Sequence, residues 1–164
     1  MDDYWNNFLH KITKQKDLTS IGFSNVIGTA ISAIFWLYLA SLILPESYGE
    51  IHYFLGIAGM AQVISLIGAT NTLTVYTAKN VKIQSTLFLV SIIAAVISAL
   101  VIIIIFYRFD AALLALGYVI FELLNAVLLG KKLFVKYSKF FIIQKILTLT
   151  LGIGFYYTLG VDGI

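Results

Sequence analysis

The chain has 164 residues, of which 60% are hydrophobic and only 12% are charged, and its net charge is +3. Soluble domains are about 45–50% apolar and about 25% charged, so this composition, with a mean hydropathy of +0.96, indicates a membrane protein surrounded by lipid. The small net charge argues against a nucleic-acid partner, and the absence of cysteine excludes disulfides and cysteine-ligated metals.

Five apolar stretches follow one another, each close to the ~20 residues that a helix needs to cross the hydrocarbon core. They predict transmembrane helices over residues 21–44, 51–73, 85–107, 111–129 and 140–159. The predicted fold is therefore an all-α polytopic membrane helix bundle with five transmembrane helices, in a domain spanning residues 21–164. The first stretch has 24 residues, too long for the apolar region of a cleaved signal peptide, which has about 7–15 residues.

The positions of the basic residues predict the orientation, because Lys and Arg are retained on the cytoplasmic side. One side of the membrane receives nine lysines from the N-terminal segment and from the second and fourth connections: Lys11, Lys14, Lys16, Lys79, Lys82, Lys131, Lys132, Lys136 and Lys139. The other side receives only Arg108. We therefore predict a multi-pass protein of the cell membrane whose N-terminus is cytoplasmic and whose last residues, Asp162 to Ile164, are outside.

The cytoplasmic segment, residues 1–20, has two interpretations. Trp5, Phe8 and Leu9 stand between charged positions, which is compatible with a short amphipathic helix on the inner membrane surface. A disordered tail is the alternative.

Polar residues within the spans form stripes at helical spacing. The first span carries Asn25, Thr29, Ser32 and Trp36; the second Gln62, Ser65, Ala69, Thr72 and Tyr76; the fifth Lys145, Thr148, Gly152 and Tyr156. Either the stripes pack helix against helix, or they line a water-filled cavity. Asn25 and Gln62 are the stronger candidates for a substrate pathway. The third span has only Ser91 and Ser98 as polar residues, which predicts that it faces lipid most.

Two ionisable residues lie inside the apolar stretches, Glu122 in the fourth and Lys145 in the fifth. At 1.5 Å per residue they lie roughly 12 and 8 Å from the cytoplasmic ends of their spans, so an ion pair between them is geometrically feasible. Asn125 lies one turn from Glu122, and Gln144 adjoins Lys145. For Lys145 the alternative is that its long stem reaches the interface, and for Glu122 that it exchanges protons. Glu122, Asn125 and Lys145 complete the candidate substrate pathway.

The sequence contains no pattern of residues that is typical of an enzyme active site. His10 and His52 are the only histidines, and neither has partners at the spacing of a metal site. The glycine pairs Gly56/Gly59 and Gly152/Gly154 lack the context of a phosphate-binding loop. We therefore predict no catalytic residues, no metal and no cofactor.

Short motifs at the span ends resemble a known family. These are Leu44-Pro45-Glu46-Ser47-Tyr48-Gly49 after the first span, Leu66-Ile67-Gly68-Ala69-Thr70-Asn71-Thr72 and Tyr76-Thr77-Ala78-Lys79 at the end of the second, and Leu159-Gly160-Val161-Asp162-Gly163-Ile164 after the fifth. They resemble the N-terminal part of polysaccharide flippases, the polysaccharide transporters of the multidrug/oligosaccharidyl-lipid/polysaccharide exporter superfamily. The resemblance covers about residues 18 to 164.

This resemblance implies a flippase that moves a polyprenyl-diphosphate-linked oligosaccharide to the outer leaflet by alternating access between two six-helix lobes. Lys145 and Arg108 would then supply positive charge for the diphosphate, as a lysine can do as a point charge. Five helices are fewer than one lobe, so we expect the chain to be an N-terminal part that functions with further C-terminal helices or with a second chain. Two alternatives stay open: a non-transport membrane scaffold, and a cation-coupled drug antiporter of the same superfamily. The absence of an acidic residue from the first span disfavours the antiporter.

Overall fold

A computed structural model describes the backbone of residues 2–160 and the side chains of residues 19–160. This part of the chain consists of six helices: α1 (Asp2–Leu42), α2 (Pro45–Leu66), α3 (Ala69–Ala78), α4 (Gln84–Phe106), α5 (Phe109–Gly130) and α6 (Phe134–Leu159). Four are long and apolar enough to cross a membrane, and the bent pair α2 and α3 is a candidate for a fifth span. The prediction of an all-helical membrane protein is confirmed at this level, with four to five candidate spans.

Three helices, α1, α2 and α6, begin well before the predicted spans, and α2 does so at Pro45 rather than at residue 51. α1 begins at Asp2, so its backbone is helical through the predicted cytoplasmic segment. The side chains of Trp5, Phe8 and Leu9, and the predicted outer residues 162–164, lie outside the described part. α6 begins at Phe134 rather than at residue 140. Only Lys131, Lys132 and Leu133 separate it from α5, so most of the predicted connection is helical.

The second predicted span is not one helix, which corrects the uninterrupted helix expected over residues 51–73. Ile67 and Gly68 both adopt left-handed backbone conformations, with φ of 35° and 76°. The helix axis bends by 49° at this point. The stripe from Gln62 to Tyr76 therefore does not lie along one continuous helix face.

The chain divides into two compact units. The first, residues 1–43 and 133–164, contains α1 and α6. These two helices run parallel: Ser20, near the middle of α1, contacts Ser138 near the start of α6, and Tyr38 contacts Tyr157 near the ends of both. They approach closely because Gly152 lies against the ring of Phe35.

The second unit, residues 44–132, contains α2 to α5. One apolar cluster joins the middle of α2 to the C-terminal half of α4 and the start of α5, through Ile57, Ala58, Ala61, Ala99, Ile102, Ala111, Ala112 and Ala115. A second cluster joins both sides of the α2–α3 break to α4 and α5, through Leu66, Leu73, Ala95, Val119, Leu123 and Ala126. Alanines dominate the first cluster, so the backbones come close. These clusters show that α2 and α3 together run alongside the length of α5.

The third predicted span, α4, which was predicted to face lipid most, has a buried face within the second unit. α4 buries Ser91, Ala95, Ala99 and Ile102 in the second unit. Among the described residues of α6, only Ser138 is buried. Small residues every four positions give α4 this packing face, although it has few polar residues.

Candidate functional site

The five predicted pathway residues differ in their surroundings. Asn25 is exposed on α1, and Gln62, Glu122 and Lys145 are half-buried on α2, α5 and α6. Asn125 is buried, with 4% of its surface exposed. Glu122 and Lys145 belong to different units, so their ion pair stays a prediction.

The contact face of α1 is displaced from its predicted polar stripe. Gly28, Phe35 and Leu39 are buried, whereas Asn25 and Thr29 are exposed. One residue corresponds to about 100° of helix rotation, so the stripe faces away from α6 by roughly a quarter turn. Asn25 therefore presents a polar group at span depth without being used in this packing.

Lys145 lies in the interface between α6 and α1. Its stem passes beside Gly28, and its Nζ is 5.4 Å from the centre of the Phe141 ring. Among the described side chains it has no carboxylate within ion-pair distance. The predicted stripe of α6 is partly a packing face, because Gly152 lies against Phe35. The structure thus supplies a cation at span depth that is held by apolar and aromatic contacts.

Two amide side chains at span depth have unsatisfied oxygen atoms. Asn125 Oδ1 and Gln144 Oε1 are buried, and neither has a hydrogen-bond partner in the described part of the chain. Buried polar atoms in folded proteins are nearly always paired, and an unpaired one costs about 1–3 kcal/mol. From the sequence, Asn125 was a candidate pathway residue and Gln144 only a neighbour of Lys145. In the structure both have a buried amide oxygen without a hydrogen-bond partner among the described residues.

The break at Ile67 and Gly68 is the main feature that the sequence did not predict. Ile67 N–H donates to the carbonyl of Val63, and Thr72 N–H donates to the carbonyl of Gly68, each at 3.1 Å. Between these bonds the regular i→i−4 pattern is interrupted, which frees backbone groups at span depth. Such breaks in membrane helices are tolerated where the backbone is covered by protein or lines a water-filled space. The sequence signal at the break was Gly68, one of three glycines in the predicted span together with Gly56 and Gly59.

Arg108 is not a free cation, contrary to the role that the family resemblance gave it. Its Nη1 donates to Glu50 Oε1 at 2.8 Å, and its Nη2 donates to Asp110 Oδ2 at 2.7 Å. The guanidinium carbon is also 4.3 Å from the centre of the Phe54 ring. The hydrogen bond to Asp110 raises the pKa of Arg108 above its ordinary value. These contacts join the start of α2 to the start of α5 and leave Arg108 poorly suited to bind a diphosphate.

No group of three or more His, Cys, Asp or Glu residues that could hold a metal ion occurs within the described residues. No protein-family model matches the chain, and no curated protein or solved structure is detectably similar to it.

Proposed function

We propose that this chain is the N-terminal part of a membrane transporter that flips a polyprenyl-diphosphate-linked oligosaccharide from the inner to the outer leaflet. The substrate class comes from the sequence motifs that resemble polysaccharide flippases. Transport itself is supported by Lys145, a cation at span depth that has no carboxylate partner among the described side chains. Ionisable residues inside membrane spans usually face protein or water and mark substrate or ion pathways.

The proposal includes five spans, with α2 and α3 counted together. Successive spans alternate in direction, so two spans that run parallel have numbers that are both odd or both even. α1 and α6 run parallel, since Ser20 contacts Ser138 and Tyr38 contacts Tyr157. If α1 is the first span, α6 is then the fifth rather than the fourth. This count supports crossing of the membrane by the bent pair.

The proposed orientation places the N-terminus in the cytoplasm. In the second unit, Lys79, Lys82, Lys131 and Lys132 follow the ends of α3 and α5. Glu50 and Asp110, bonded to Arg108, lie at the opposite ends of α2 and α5. This asymmetry agrees with the retention of lysines on the inner side. Alternating access needs a second helix bundle that moves against this one, which the proposal assigns to further helices or to a second chain.

The chemistry of the proposed substrate suits Lys145. A diphosphate carries negative charge, and a lysine binds phosphate as a point charge without requiring a rigid geometry. The ring of Phe141 holds the ammonium group without neutralising it. Gln144, whose buried Oε1 has no hydrogen-bond partner among the described residues, is its neighbour in the sequence.

The test is a translocation assay in proteoliposomes that contain the full chain together with its co-purifying partner helices. A fluorescent polyprenyl-diphosphate oligosaccharide reports flipping when its outer-leaflet pool is quenched. Lys145→Gln is expected to lower the rate at least about tenfold, since hydrogen bonds to charged groups contribute about 1.5–3 kcal/mol. Lys139→Gln, an exposed lysine on the same helix, is the matched control and should change the rate less than about twofold. Equal rates for both variants and the unaltered protein would contradict the role of Lys145.

A membrane scaffold is the second candidate, and the burial of Asn125 is the observation that favours it. A scaffold predicts that the polar residues are covered by protein and dry. The chain has no cysteine, so single cysteines at Asn25, Gln62 and Glu122 provide clean labelling sites. Labelling by a membrane-impermeant maleimide would support a water-filled pathway, and no labelling at any of the three would favour the scaffold.

The antiporter alternative is tested separately by Glu122→Gln. If the protein is an antiporter that uses this carboxyl group, its transport rate should follow the protonation of Glu122. Unchanged activity and pH dependence in Glu122→Gln would exclude that mechanism, whereas loss of the pH dependence would support it over the flippase.

A further inference from the structure

The break between α2 and α3 is not imposed by a proline. The single proline of the chain is Pro45, far from Ile67 and Gly68. Sharp kinks in helices usually arise from proline, from glycine, or from an interruption of the hydrogen-bond pattern. Here one glycine and one isoleucine adopt the left-handed conformation in succession. Glycine adopts it readily, but a β-branched residue does so at a cost in free energy.

The side chain of Ile67 does not contribute to holding this conformation. It is 82% exposed, so core packing does not fix it. A straight helix through residues 66–69 would return Ile67 to its preferred conformation and restore the interrupted backbone hydrogen bonds. The bent form therefore has to be stabilised by contacts elsewhere.

Those contacts are made by α3 with α5 and with the start of α4. The single proton of Thr74 Oγ1 is shared between the carbonyl of Thr70 in α3, at 2.9 Å, and the carbonyl of Ala126 in α5, at 3.2 Å. Gln84 Nε2 donates to Thr77 Oγ1 at 3.1 Å. Gly130 permits close approach, because a Cβ there would lie 2.7 Å from the carbonyl oxygen of Thr74. Straightening the helix would have to move α3 away from these partners.

The two sides of the break are anchored unequally. α2 buries Ile57, Ala58, Ala61, Ser65 and Leu66, and the hydroxyl oxygens of Ser65 and Ser98 of α4 lie at hydrogen-bond distance, 3.0 Å. α3 is shorter, with ten residues, and buries Ala69, Leu73 and Thr77. A motion about the break would therefore displace α3 while α2 remains packed against α4 and α5.

We propose that Ile67 and Gly68 form a hinge at which α3 exchanges between a bent position, packed on α5, and a straighter position, separated from it. The bent state is stabilised by the contacts of Leu73, Thr74 and Thr77, and the straighter state by regular helical backbone. Two alternatives of comparable free energy in one packed element are the usual basis of a conformational switch. The hinge does not rest on the flippase proposal, because it follows from the second unit alone.

The test measures distances between pairs of spin labels in the full chain, in lipid nanodiscs, by double electron–electron resonance. Ala78→Cys and Lys131→Cys report the separation of α3 from α5, since both positions are exposed at the ends of these helices. Tyr53→Cys and Leu113→Cys, which are 58% and 53% exposed, report α2 against α5 and serve as the control pair.

Two substitutions bias the hinge in opposite directions. Ile67→Gly removes the side chain that disfavours the left-handed conformation, so the short distance should gain about five- to thirtyfold in population ratio. Gly68→Ala disfavours that conformation, so the long distance should gain by a similar factor. A Cβ at Gly68 meets nothing within 4 Å, so this change does not act through a clash. Ile64→Gly and Gly59→Ala, both within α2, are the matched controls and should leave the ratio unchanged.

Opposite shifts in the α3–α5 pair, with a constant distance in the α2–α5 pair, would establish the hinge. A single α3–α5 distance that is the same in the unaltered protein and in both variants would overturn it. Equal shifts in both label pairs would also overturn it, because the whole unit would then be rearranging. If Gly68→Ala does not fold, as shown by loss of the control distance, the comparison of Ile67→Gly with Ile64→Gly decides. None of these readouts depends on transport, so failure of the hinge and failure of the proposed function remain distinguishable.

Discussion

Replacing Arg108 by glutamine should weaken the second unit by about 1–2 kcal/mol. The guanidinium joins the start of α2 to the start of α5 through Glu50 and Asp110. Glutamine keeps most of the side-chain length but removes the charge and the fork of donors. The loss therefore reports the ionic contacts rather than packing.

The magnitude follows from the exposure of the three side chains. Arg108, Glu50 and Asp110 are 37%, 60% and 61% exposed, so each ion pair belongs to the surface class, worth about 0.2–1 kcal/mol. The contact with Phe54 adds about 0.5–1 kcal/mol for an exposed cation–π pair. Arg108 donates to both oxygens of Asp110, from Nε to Oδ1 and from Nη2 to Oδ2, which places that pair near the upper end of its range.

The assay is reversible unfolding of the full chain in detergent, followed by helical circular dichroism at low and high salt. A double-mutant cycle with Glu50→Gln isolates the contact between α2 and α5, and Lys131→Gln is the control for loss of a charge at the other end of the unit. The effect of Arg108→Gln should shrink as salt rises, because exposed pairs are screened. A loss above about 4 kcal/mol, or one that salt leaves unchanged, would refute a surface ion-pair origin.

The remaining predictions concern glycines at close helix contacts. Gly152→Ala should destabilise the α1–α6 pair by about 1–3 kcal/mol, because its Cβ would lie 2.8 Å from the Phe35 ring; Gly154→Ala, with nothing within 4 Å, should cost nothing in the same thermal unfolding measurement. Gly130→Ala should separate α3 from α5, because the Thr74 carbonyl oxygen at 2.7 Å belongs to the backbone and cannot rotate away. The Ala78–Lys131 label distance should then lengthen, and an unchanged distance would contradict the close contact.

The broad fold could be predicted from the sequence because a helix that crosses lipid must consist mainly of apolar residues. About 20 apolar residues in a helix span the hydrocarbon, so the predicted ends at residues 85 and 107 match α4 (Gln84–Phe106) within one residue. The start of α6 was misplaced because the stretch after Phe134 mixes lysines with aromatic residues, and hydropathy does not distinguish a helical interface from a loop.

The α2–α3 break was beyond prediction from composition. Residues 51–73 are mostly apolar, and a glycine within a membrane helix is common and usually compatible with a regular helix. The bend depends on contacts between residues distant in sequence, such as Thr74 with Ala126 and Thr77 with Gln84. The local sequence indicates that a left-handed Ile67 costs free energy, but it does not show the tertiary contacts that offset this cost.

Polar side chains inside the spans differ in whether they can form hydrogen bonds within their own helix. This difference decides which of them indicate function. Hydroxyl groups bond to their own helix: Ser65 donates to the carbonyl of Ala61 at 2.7 Å, and Thr150 to that of Ile146 at 2.8 Å. The longer amides of Asn125 and Gln144 leave their buried oxygens without partners in the described residues. A hydroxyl in a membrane helix therefore needs no outside partner, whereas an amide requires one from another helix, water or a ligand. Within the polar stripes, the amides and Lys145 are therefore stronger evidence for the proposed pathway than the serines and threonines are.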